Sequence, residues 1–150
     1  MLSRLLPPVS HFNYQGARAA LWILGVVLLL KFVTGCAAVF NGHQAASAAD
    51  GFPLAQYSPA GAQAVVALFG ALGATQILVC ALGAIVLVRY QALVPLILLF
   101  LVLEFVARKA VTYFNPIDRV PGNVGFWLNW AVFVALCVAL VLSLRGRNTS

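Results

Sequence analysis

The sequence predicts an all-α fold: an integral membrane protein whose four apolar helices form an antiparallel bundle. Three observations carry that expectation. Hydrophobic residues make up 63% of the chain and charged residues 8%, with a mean hydropathy of +1.02, which excludes an ordinary soluble domain. Four apolar blocks stand out, over residues 19–40, 63–88, 92–114 and 126–144. Each is long enough to cross a hydrocarbon core of about 30 Å, which needs about 20 residues at a rise of about 1.5 Å each. None of the blocks alternates as a barrel strand would, and in lipid a segment must satisfy its own backbone. A chain of 150 residues therefore holds one transmembrane domain, residues 1–150, and no separate soluble one.

Residues 1–16 are short, mixed and broken by Pro7-Pro8, as expected of an interfacial segment with Leu2, Leu5 and Leu6 in lipid and Arg4 at the headgroups. Within and after the first span, Val33-Thr34-Gly35-Cys36 and Ala46-Ser47-Ala48 resemble cleavage boxes. The apolar run before them exceeds a signal-peptide core of about 7–15 residues and contains Lys31, so the span is expected to stay attached. The loop over residues 41–60 is polar, rich in small residues and free of Lys and Arg. The second span carries pairs such as Gly70/Ala74 and Ala67/Ala71, a spacing that lets helices approach closely, either inside the bundle or between copies. Arg89-Tyr90-Gln91 is a tight turn, and Pro95 falls in the opening turn of the third span, where a missing amide donor costs little. Asn115-Pro116 and Pro121-Gly122 mark the last turn.

The net charge of +6 comes from basic residues scattered at span ends. Anionic membrane lipids are the expected counter-charge, and nucleic acid is not. Arg4, Arg18, Arg89, Arg145 and Arg147 fall on one side, against Arg108, Lys109 and Arg119 on the other. Basic residues favour the cytoplasm, so both termini are expected there. Trp127, Trp130 and Tyr113 would form the outer aromatic belt, and Trp22 and Tyr90 the inner one. Cys36, Cys80 and Cys137 lie on three different spans without a CxxC motif, which fits small buried residues better than a disulfide or a metal site.

The candidate site is a layer of polar side chains inside the apolar blocks: Lys31, Gln76, Glu104, Arg108 and Asn129. Counted from the expected cytoplasmic ends, Lys31, Gln76 and Glu104 lie about 18 Å deep and Asn129 about 22 Å. Arg108 stands one turn beyond Glu104 on the same helical face. Glu104 is the sole carboxylate within a span, and an isolated charge at that depth costs about 2.5–3.5 kcal/mol on insertion scales. Lys31 and Glu104 could pair with hydrogen bonds from Gln76 and Asn129, or Arg108 could compete for Glu104. Because burial disfavours charge, a poorly compensated pair could also exchange a proton.

The stretch LGATQILVCALGAIVLVRYQALVPLILL, residues 72–99, resembles the middle of DoxX-like membrane proteins. The resemblance implies a small four-helix bundle in a bacterial cytoplasmic (inner) membrane, with a glycine-rich second helix, a short basic turn and an apolar third helix. Family roles range from redox-linked subunits to accessory proteins. In that pattern a glutamate often occupies the position of Gln76; here the carboxylate stands at Glu104 on the next span.

Function is read in three ways. The first is an accessory or scaffold subunit, non-enzymatic, held in register by the polar layer, with a homo-oligomer or a membrane complex as its setting. The second is a protein that binds a small molecule, lipid or quinone, or a proton-coupled transporter, using the Lys/Glu/Arg cluster. The third is a membrane-embedded enzyme, although the sequence assigns no catalytic residue. His11 and His43 fall on opposite sides of the membrane and cannot share a haem. Asp50 and His43 are separated by flexible Ala/Ser sequence. No residue pattern indicates a metal site or identifies a cofactor.

Overall fold

The structure is a computed structural model that describes Tyr14, residues 16–116 and residues 123–145. Most of the expected interfacial segment and Pro121-Gly122 of the last turn lie outside the described residues. Four long helices dominate: α1 (Arg18–Phe40), α2 (Pro59–Arg89), α3 (Val94–Phe114) and α4 (Val124–Leu144). All four are long and apolar enough to cross a membrane. The described residues contain no strand.

Helix boundaries follow local capping, which hydropathy does not see. α2 begins at Pro59, ahead of the expected residue 63, because the Ser58 hydroxyl accepts from the Gly61 amide and proline suits the first helical position. Its 31 residues span about 46 Å, so its ends project beyond a core of about 30 Å. α4 begins at Val124, ahead of residue 126, because the Asn123 side chain accepts from the Phe126 amide at 2.8 Å. α3 starts at Val94 after a 3-10 turn over Gln91–Leu93, with Pro95 in its first turn as expected.

The segment expected as a loop over residues 41–60 is largely helical. A turn at Gly42–Gln44 runs into a π-helical turn at Ala45–Ala49, followed by a 3-10 turn at Leu54–Gln56. Small uncharged residues let it fold back onto the bundle: Ala46 and Leu54 are buried, and Phe52 meets Phe69 of α2 edge-on at 5.5 Å. Gly51, at φ 73°, makes a left-handed turn that redirects the chain.

α1 is the central element. It packs along α2 on one side and α4 on the other, and α3 packs on α4. The core joins Leu24, Val27 and Leu28 of α1 to Leu98 and Leu101 of α3 and to Leu136 and Ala139 of α4. The α1–α2 contact is the tightest and runs antiparallel, with Gly35 against Gly73, Leu28 against Gly83 and Leu87 against Gly25. Apolar side chains gain nothing by leaving lipid for protein, so close backbone approach and hydrogen bonds must hold such helices together. At one end the Ala17 amide donates to the Leu142 carbonyl at 3.2 Å. At the other end the Asn123 side chain donates to the Asp50 carbonyl at 3.3 Å. Of the neighbouring helix pairs, α2 and α3 pack least closely. Outward-facing residues such as Trp22, Val88 and Phe114 are exposed, as lipid-facing side chains are.

Candidate functional site

Seven buried residues of α1, Ala20, Leu24, Val27, Leu28, Lys31, Gly35 and Ala38, follow the i, i+3, i+4 spacing of one helical face and form one inward stripe. Lys31 is therefore part of the face that enters the core, and only 8% of its side chain is exposed. It stands about 20 Å along the helix from Arg18 and about 14 Å from Phe40. Glu104 occupies the middle of α3, about 15 Å from either end.

The Lys31 ammonium donates to Glu104 Oε2 at 3.0 Å. Arg108 Nε lies 2.9 Å from the other oxygen, Oε1, one helical turn away. The carboxylate thus bridges two cations, where the sequence alone suggested competition between them. The three side chains carry two positive charges and one negative. Exposure grades outward across the group, from 8% for Lys31 to 25% for Glu104 and 44% for Arg108.

Helix geometry fixes the direction this cluster faces. Phe105 turns towards α4, stacked on Phe133 at 4.4 Å and edge-on to Trp130 at 5.6 Å. Glu104 precedes Phe105 and is rotated from it by about 100°, so that its carboxylate meets Lys31 of α1 instead of the α4 rings.

Gln76 joins the layer but not the ions. Its side-chain amide donates to the Lys31 carbonyl at 2.6 Å and to the Thr34 hydroxyl at 2.8 Å. The Thr34 hydroxyl also donates to the Lys31 carbonyl, at 3.0 Å. Thr34 was not among the expected residues, although its position three residues after Lys31 places it on the same face. Asn129 does not reach the cluster: its amide donates to the Gly125 carbonyl on its own helix at 2.8 Å. Three helices, not four, build the layer.

A second arrangement was not anticipated. The Lys109 ammonium lies 5.5 Å from the Phe105 ring centroid, 5.6 Å from Phe126 and 5.5 Å from Trp130. Residues 105 and 109 on α3 face residues 126 and 130 on α4, so an i, i+4 pair on each helix makes an aromatic cradle for the cation.

Chemically, the cluster can hold charge and fix helix register. Of the three cysteines, Cys80 is buried and Cys36 and Cys137 are half-buried, and none forms a disulfide. Among the described residues no three His, Cys, Asp or Glu side chains converge as a metal site would require. An apolar groove of about 400 Å³, lined by Trp22, Val26, Leu30, Leu128 and Ala131 among others, runs between α1 and α4 and includes no member of the cluster. No family model, curated protein or solved structure matches this chain.

Proposed function

We propose that the protein is a non-enzymatic accessory or scaffold subunit of a bacterial cytoplasmic membrane, with both termini in the cytoplasm. One observation carries this reading: polar side chains of three spans are bonded to one another across the helices. Lys31 and Arg108 share Glu104, while Gln76 and Thr34 bond to the Lys31 backbone. These bonds tie α1 to α3 and α1 to α2 at one level, and fixed links between helices suit a rigid framework better than a moving proton path. The orientation rests on Arg18, Arg89 and Arg145 at one end of the helices and on the absence of Lys and Arg from residues 41–60.

The test uses a deletion strain complemented by variants. If the layer is structural, Lys31→Met combined with Glu104→Gln removes both charges together, and the double variant should support growth in proportion to the protein that accumulates. A double variant that accumulates normally yet fails to complement would show that the charges act in function and would reject the scaffold reading.

A further inference from the structure

The ion cluster does not neutralise itself. Lys31 and Arg108 bring two positive charges to one carboxylate, and no second acidic residue lies in any of the four helices. Of the chain's three acidic residues, Asp50 sits beside Gly125 at the start of α4 and Asp118 belongs to the connection after α3. An uncompensated charge in a low-dielectric layer is costly, so an anion from outside the protein is favoured there.

Arg108 is the residue placed to receive it. Its Nε meets Glu104 at 2.9 Å, whereas its two Nη groups have no acceptor among the described residues. A guanidinium with its Nε occupied still offers a fork of N–H donors that matches phosphate geometry. The surroundings specify what carries the anion. Arg108 is 44% exposed, and Val111, its i+3 neighbour on the same face, is exposed and apolar. It lies about 9 Å short of the end of α3, a depth from which arginine reaches headgroup level. The ligand must therefore pair a negative head with an apolar body.

We propose that Arg108 binds the phosphate of an anionic phospholipid in the leaflet at the C-terminal end of α3, and that this phosphate completes the neutralisation of the Lys31–Glu104–Arg108 cluster. The site is independent of the scaffold role and would exist in a transporter of the same geometry.

The experiment is native mass spectrometry of the full chain in mild detergent, titrated with phosphatidylglycerol or phosphatidylcholine. The wild type should bind one phosphatidylglycerol in preference to phosphatidylcholine by at least about tenfold, the worth of one hydrogen bond to a charged group. Arg108→Gln should abolish that preference. Arg108→Lys should keep part of it, and Arg89→Gln, at the opposite end of the bundle, should keep all of it. Soluble glycerol phosphate should not compete. Equal binding of the two lipids by the wild type would overturn the proposal, and this arm decides even if Arg108→Gln fails to fold. Equal losses in Arg108→Gln and Arg89→Gln would overturn it in favour of diffuse surface charge. Competition by glycerol phosphate would replace the lipid with a soluble anion.

Discussion

Gly73 of α2 stands so close to α1 that a β-carbon on it would lie 2.8 Å from the Gly35 carbonyl oxygen and 2.8 Å from Ala38 Cβ. No side chain fits there without moving a backbone. Gly73→Ala should destabilise the protein by about 1–3 kcal/mol through overpacking, and Gly73→Val by more. Gly25 is the control, since its added β-carbon would meet only the Leu87 side chain at an ordinary 3.5 Å. Gly25→Ala should be neutral or slightly stabilising. Thermal unfolding in one detergent checks both, and equal losses at the two glycines would show that helix propensity, not the α1–α2 contact, sets the effect.

Gln76 and Thr34 act on the same carbonyl, that of Lys31. Hydrogen bonds between membrane helices average about 0.6 kcal/mol and reach about 1.7. Gln76→Leu should cost an amount in that range, and Thr34→Val less, because its bond to Lys31 stays within α1. Denaturant unfolding of the two variants and their combination should give losses that fall short of additive, since Gln76 also donates to Thr34.

The two ends of the bundle should differ in access to water on each side of the membrane. Ala48 is exposed in the π-helical turn between α1 and α2. In a cysteine-free background, a cysteine at Ala48 should react with an impermeant thiol reagent in intact cells. One at Ser150 should react only after lysis. The opposite pattern would reverse the orientation while leaving the helix packing as described.

Much of the fold was legible because lipid imposes it: a helix of about 20 apolar residues needs no partner to be recognised. Lys31 and Glu104 were legible for the same reason, as charges where hydropathy forbids them. Legibility failed where direction mattered more than depth. Counting residues places Asn129 near the layer, but each step along a helix rotates the side chain by about 100°. Its neighbour Trp130 is the residue that meets Phe105, and Asn129 bonds back to Gly125. The Lys109 cradle was hidden likewise, because its rings come from two helices whose adjacency no local pattern reveals. The start of α2 was misjudged because Ser58 and Pro59 were read as loop residues, whereas together they make a helix cap.

The most direct measurement is a double-mutant cycle on Lys31 and Glu104, read as thermal and denaturant stability in detergent. Glu104→Gln leaves the buried Lys31 beside Arg108 without a counter-charge, and should cost about 3–5 kcal/mol. Lys31→Met should cost less, because Glu104 keeps Arg108 at 2.9 Å. In the double variant the loss should be smaller than the sum of the two by about 1–3 kcal/mol, the range of coupling for residues in one charged network. Strictly additive losses would contradict the bridge at 3.0 Å and with it the layer that joins α1 to α3.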